Sequence, residues 1–218
     1  MATTAESTKA RIVVAAERLF AAQGIDAVSL REINRLAGAK NAIAVQYHFE
    51  DRVGVLRAIL AKHLPEVDAR RHALLDECEA SGTTDLRAFA AALVRPLAAK
   101  LADPDGGPEY LRINAELLNR PRPRLEPSSN PDDSINRWRA LVEPHVPRGA
   151  GRLHRRFTAM QFSAAELGRR ATTGPHTDDR LFVSHVIDLV TGILAAPVSD
   201  ETLRLVDERD LIRAQKNA

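Results

Sequence analysis

Apolar residues recur at helical spacing along most of this chain, and glycines, prolines and capping residues divide them into segments. Ile12, Ala15, Ala16, Leu19 and Phe20 mark a helix over 8–23, which Gly24 ends. Ser29, Leu30, Arg31 and Glu32 have the Ser-x-x-Glu form of a capping box and start a second helix that stops at Gly38. Asn41 is placed to cap a short third helix over 42–48. Asp51 is placed to cap a fourth, which carries Val55, Leu56, Ile59, Leu60 and Leu64 from Arg52 into the seventies. Pro65 lies inside that run and predicts a kink or break near 62–64. Further helices are predicted over 85–102 (with a second kink at Pro96), 108–120, 132–146, 151–173, 178–196 and 200–214. Pro121, Pro123, Pro127 and Pro131 make the stretch between non-helical. No segment alternates with period two for long enough to be a strand. The predicted fold class is all-α, with three short N-terminal helices followed by a larger C-terminal helical bundle, about nine to ten helices in total.

Composition narrows the chemistry. Among 218 residues, 31 Lys and Arg face 29 Asp and Glu, a net charge of +2, so any nucleic-acid site is a local patch. Aromatics are only 4%, which leaves the core to Ala, Leu, Val and Ile and favours helices over a β-sandwich. The single cysteine, Cys78, excludes an internal disulfide and any multi-cysteine zinc site. No run reaches the roughly 18 apolar residues of a membrane helix, and the polar start runs straight into an amphipathic stretch, unlike a signal peptide. A cytoplasmic chain with no membrane partner is expected. No HExxH, Ser-centred elbow or glycine-rich phosphate loop occurs, so no catalytic residue, metal or cofactor is predicted. His154 with Glu166, and His72 with Asp76 and Glu77, are chance-level pairs.

The segment 29–48 carries the most information. A short helix, a Gly-containing turn and a second short, capped helix form a helix-turn-helix pattern, whose second helix enters the DNA major groove. Ala37, Gly38 and Ala39 allow a close crossing, and Ala42 and Ala44 keep the third helix slim enough for a groove about 12 Å wide. Lys40, Asn41, Gln46, Tyr47 and His48 supply polar heads; Gln and Asn pair with adenine edges, and Lys reads guanine or binds phosphate. Ser29 and Arg31 flank them at the start of the second helix. Arg52 opposes the helix dipole in the first turn of the fourth helix, where it makes a phosphate-binding point. The plain alternatives are a solvated Arg52, a half-buried Tyr47, and His48 and Phe49 packing a small domain.

The order Ala15-Ala16, Leu19-Phe20, Gly24, Ser29-Leu30-Arg31-Glu32-Ile33, Ala37-Gly38, Tyr47-His48-Phe49, Arg52 and Leu56 resembles the DNA-binding domain of TetR-type transcriptional regulators. Between Ala37-Gly38 and Phe49 the chain is one residue longer than the common pattern, so the family's usual tyrosine falls at Gln46, with Tyr47 beside it. Arg52 stands where the family often has lysine. The resemblance implies a DNA-binding domain over 1–52 and a ligand-binding and dimerisation domain over 53–218. It further implies a homodimer on a palindromic double-stranded DNA operator, and a small-molecule effector whose binding releases repression of a neighbouring operon.

The predicted dimer helix supports this independently, because its apolar residues cover more than one face. The expected dimer residues are Phe162, Leu167, Phe182, His185, Val186, Leu189, Val190 and Ile193; His185 suits a seam or a core better than a metal. The alternative is the central helix of a monomeric bundle. Candidate effector-pocket residues are Leu60, His63, Leu64, Phe89, Leu93 and Tyr110, together with Asn114, Leu117, Trp138, Leu141, Phe157 and Met160. The same residues describe a packed core equally well. The proline-rich segment is either a lid over the pocket or a plain surface loop. The competing functions are a helical enzyme and a protein-interaction module whose N-terminal corner is only structural.

Overall fold

The computed structural model describes residues 4–39, 41, 43–120 and 133–216. Among them are ten α-helices: α1 (Thr4–Gln23), α2 (Leu30–Leu36), α3 (Ala44–Phe49), α4 (Arg52–Ser81), α5 (Leu86–Ala98), α6 (Gly107–Leu118), α7 (Ser134–Val142), α8 (Arg155–Arg170), α9 (Arg180–Ala195) and α10 (Asp200–Lys216). No strand occurs among the described residues, and the fold is all-α, as the periodicity predicts. No single helix among them is long and apolar enough to cross a membrane. The proline-rich segment lies outside the described residues, and so does its suggested role as a lid.

Of the kink or break predicted near 62–64, the break does not occur. The helix α4 runs through Pro65 for 30 residues. Leu64, Pro65 and Glu66 are exposed, while His63, Val67 and Arg71 are buried on the opposite side. The ring meets solvent, and packing on the far face keeps the helix continuous through it. Pro96 acts differently. Two residues later α5 tightens into a 3-10 turn, Ala99–Ala102. The predicted start of α8 at Gly151 is also revised. Gly151–Leu153 form a separate 3-10 turn, and His154 takes a left-handed φ of 56° that breaks the run before Arg155.

Three apolar cores follow one another along α4. The first joins α1, α2 and α3 to Val55, Leu56 and Ile59 of α4 and to Ile113 of α6. The second is small and holds Val67, Leu97, Tyr110, Leu111 and Leu167. The third fills the body between α4, α5, α7, α8 and α9. The N-terminal helices are therefore not a free-standing unit: the buried stripe of α4 and one face of α6 complete their core. Because α4 serves all three cores, a change in its tilt is felt in each.

A buried charge marks one of the joints. Lys100 is buried at the end of α5, where it donates to Asp103 Oδ2 at 2.8 Å and to the Glu66 carboxylate of α4. Burial pulls the Lys100 ammonium down, but these two bonds outweigh it and hold its pKa above the ordinary lysine value. Lys100 in turn holds the Glu66 and Asp103 carboxyls below their usual range.

Lys100→Met is expected to lower folding stability by about 1–3 kcal/mol in chemical denaturation at neutral pH, since the partly exposed partners rehydrate. The carboxyls have lowered folded pKa values, so their contribution is full above the ordinary carboxylate range and is lost as pH falls through those lowered values. The gap between wild type and variant should therefore hold near pH 7 and close below about pH 4; a gap independent of pH contradicts the ion network.

Candidate functional site

The N-terminal corner is built by short-range hydrogen bonds. Ser29 caps α2: its Oγ accepts from Glu32 N at 3.2 Å, and Glu32 Oε2 accepts from Ser29 N at 2.7 Å. Those bonds from the Ser29 backbone and hydroxyl hold the Glu32 carboxyl below its usual range. Gly38, at φ 60°, turns the chain out of α2. Asn34 then ties the two helices together. It is buried on α2, and its Oδ1 accepts the backbone N–H of Val45 at 3.1 Å, which satisfies a donor in the first turn of α3. Asn34 carries no obvious sequence signal other than a polar residue beside Ile33 in the buried stripe.

Because of that tie, α3 presents two distinct faces. Ala44, Val45 and Phe49 are buried in the first core. Gln46 is exposed, Tyr47 is 79% exposed, and Ile43, just before the helix, is 57% exposed. His48 is half-buried, its ring edge-on to that of Tyr47 at 5.0 Å. Asn41 is exposed and does not cap a helix at 42. The helix starts at Ala44, and Asn41 Oδ1 accepts from Ile43 N at 3.0 Å in a tight local turn. Lys40 and Ala42 lie outside the described residues. Ser29 and Arg31 are exposed at the start of α2. Ile43 escaped the sequence reading because an isolated apolar residue beside a helix start looks like a staple into the core.

Two expected contacts are corrected. Ala44 packs inward and is unavailable to a base edge. Arg52 is turned back onto its own chain: Nη2 donates to the Val28 carbonyl at 2.7 Å, and Nη1 lies 3.5 Å from Asp26 Oδ1. The cation in the first turn of α4 thus braces the α1–α2 connection. Asp51, whose Oδ1 accepts from Gly54 N at 2.8 Å, supplies the negative charge that this helix end favours. The corner between α3 and α4 is tight, with Glu50 at φ 65°. A Cβ on Gly54 would sit 1.8 Å from the carbonyl oxygen of Phe49, so only glycine fits.

Comparison with known proteins agrees with this geometry. The family described as "Bacterial regulatory proteins, tetR family" matches residues 12–59, the segment from α1 through the first turns of α4. Two relatives from Pseudomonas putida match over 69 residues each. One, named HTH-type transcriptional regulator SrpR, is 42% identical over 31% of this chain and 32% of its own length. The other, named Uncharacterized HTH-type transcriptional regulator TtgW, is 41% identical over 31% of this chain and 51% of its own length. The likeness to the tetR family thus covers the N-terminal corner of this chain. The match spans about a third of one relative and half of the other, and the body of this chain is described by its own structure.

That body is fastened firmly to the corner. Both Glu116 carboxylate oxygens, on α6, accept from Ile25 N at 3.1 and 3.0 Å. Arg120 reaches Asp26 at 3.0 Å. Glu17, buried on α1, meets His63 Nε2 at 2.9 Å and accepts from Lys62 Nζ at 2.9 Å. Burial pulls the Lys62 ammonium down, yet its bonds to Asp105 and Glu17 win and raise its pKa. The His63 ring stacks on Tyr110 at 4.6 Å.

Tyr110 lines a cavity of about 120 Å³ together with Leu64, Leu93, Asn114 and Met160, five of the residues the sequence nominated. Other walls were not foreseen: Val67, Asp68, Arg71, Leu97, Leu118, Asp133 and Ile135. The remaining nominees lie elsewhere. Leu60 packs on the middle core, Leu117 on the first, and Leu141 on the body core. His63 is paired with Glu17. Phe89 and Trp138 are inside the body core, where Trp138 Nε1 donates to the Phe89 carbonyl at 2.9 Å, and Phe157 is exposed. Arg71 had a legible signal: it sits in register with Val67, Leu75 and Cys78 on the buried stripe of α4.

Of the residues nominated for a dimer, Leu167, Val186 and Val190 are buried in the chain's own cores and are corrected to core residues. His185 and Leu189 are exposed, Phe162, Phe182 and Ile193 half-buried, and Leu181 is 84% exposed beside them.

Arg52→Ala is expected to lower the melting temperature, because the Val28 carbonyl and Asp26 lose their brace, while leaving the salt dependence of DNA binding unchanged. A salt slope flattened by about one unit would instead make Arg52 a phosphate contact. Gly54→Ala is expected to cost about 1–3 kcal/mol or more by forcing α3 away from α4, measurable by urea denaturation; a neutral effect would mean the corner is looser than its geometry.

Proposed function

We propose that this chain is a homodimeric, DNA-binding transcriptional regulator, acting in the cytoplasm as a repressor that a small molecule releases. The observation that carries this is α3. Its inner face is locked by Asn34, Val45 and Phe49, and its outer face offers Gln46 and Tyr47 to a groove, inside the segment that matches the tetR family. Gln46 suits an adenine edge, and Ile43 suits a thymine methyl. Arg31 is an exposed cation available to phosphate.

A second copy supports groove binding, since two recognition helices related by a two-fold axis meet successive major grooves about 34–36 Å apart. The exposed row Leu181, His185 and Leu189, flanked by Phe182 and Ile193 on α9, is the face best suited to that copy. The effector reading rests on the cavity and its route to the corner. Tyr110 lines the cavity and stacks on His63, His63 pairs with Glu17 of α1, and α4 runs unbroken from Arg52 past the cavity. A ligand that prefers one tilt of α4 shifts DNA binding only by its differential affinity for the two tilts.

Fluorescence anisotropy with DNA from upstream of the chain's own gene should show tight, sequence-selective binding that weakens steeply with salt. Gln46→Ala should cost about 1–3 kcal/mol at one base position. Equal loss on every operator variant moves Gln46 to the backbone, and weak binding without sequence preference overturns the regulator in favour of an enzyme or interaction module.

A further inference from the structure

The cavity beside α4 carries chemistry of its own. Its walls are mostly apolar, with Leu64, Leu93, Leu97, Leu118, Ile135 and Met160 among them, and its volume is about 120 Å³. An enclosed cavity of about 150 Å³ lined by such residues takes benzene, so this smaller space, partly open to the surface, suits no more than one compact ring. Within it lies one strong donor. Arg71 is 2% exposed and lines the cavity. Its Nη1 donates to Ser134 Oγ at 2.6 Å and to Asp68 Oδ1 at 3.4 Å. Its Nε is buried without a partner, and Nη2 makes no hydrogen bond among the described residues. Among the described residues the Nε–Nη2 edge of the guanidinium has no acceptor, which is costly for the buried Nε.

Charge decides what belongs there. Asp68 already balances Arg71, and Asp133 adds a second carboxylate to the wall. An anion would meet two carboxylates against one guanidinium. A cation would meet the guanidinium, and the Asp68 oxygen nearest it is already bonded to Arg71 and Ser134. An uncharged acceptor meets neither objection. Resting on the reading of this cavity as the effector site, we infer that the ligand is a compact, uncharged, largely apolar molecule of about one ring, whose single carbonyl-type oxygen is received by the Nε–Nη2 edge of Arg71. Tyr110 on the same wall then passes its position to His63 and, through Glu17, to α1.

The test is calorimetric titration of the full chain with four probes of one shape: cyclohexanone, methylenecyclohexane, cyclohexanecarboxylate and cyclohexylammonium. Cyclohexanone is expected to bind about tenfold more tightly than methylenecyclohexane, the worth of one hydrogen bond to a charged donor, and more tightly than either ion. Arg71→Met should erase that preference. If this variant fails to show wild-type helicity by circular dichroism, Arg71→Lys, which keeps a cation beside Asp68 but has no planar edge, replaces it, and the selectivity of the wild type decides by itself. Equal binding of the ketone and the alkene, tightest binding of either ion, or no binding of any probe overturns the inference. The same ketone is added to the operator complex in parallel. Selective binding that leaves the DNA bound upholds the cavity chemistry and overturns only the effector reading; lost DNA binding in the ligand-free chain concerns only the regulator.

Discussion

Glu17 sits with its carboxylate inside the protein, between α1 and the middle of α4, and a carboxylate in that position must be paired. His63 and Lys62 pair it, both from α4. The connection before α6 closes over it so tightly that a Cβ on Gly106 would lie 2.6 Å from Glu17 Oε2. This one arrangement fixes α1 against α4, sets where α6 begins, and thereby places Ile113 and Glu116 where they complete and clamp the N-terminal corner. Loosening Glu17 frees all three contacts together.

From that joint the molecule extends in two directions. Toward the N-terminus, the corner is rigid by construction: a capping box, the Asn34 bond to Val45, and the Gly54 approach to Phe49 each remove a degree of freedom. A helix of six residues, such as α3, has little stability alone. Its orientation comes from its neighbours, which is why the side chains holding it in place are as telling as those it displays. Toward the C-terminus, α4 carries the same buried stripe past the cavity, so the helix that supports α3 also forms a cavity wall. Its arginine, Arg71, is tied through Nη1 and has no acceptor at Nε among the described residues.

The exposed surfaces also differ in kind. The outer face of α3 is small and polar, with one large ring. The exposed face of α9 is a row of apolar residues with a histidine among them, and its deeper neighbours Val186, Ile187 and Val190 are already buried in the body. A helix with many apolar positions has thus used half of them within its own chain and left a narrower strip outside.

Local signals were legible from the residues alone. The helix periods, the Ser29–Glu32 capping box, Gly24 and Gly38 as stops, and the order of residues that resembles the tetR pattern all depend on neighbours within a turn or two, so they appear in the sequence directly. Tertiary structure decided the rest. Whether Arg52 faces a phosphate or the Val28 carbonyl depends on where the α1–α2 turn passes. Whether Pro65 breaks α4 depends on what packs on the opposite face. Which aliphatic residues line a cavity and which fill a core depends on how α4, α5, α6 and α7 meet, since Leu93 and Phe89 have the same pattern but different surroundings. Direction and depth are set by contacts far apart in sequence, and periodicity records only which side of a helix is dry.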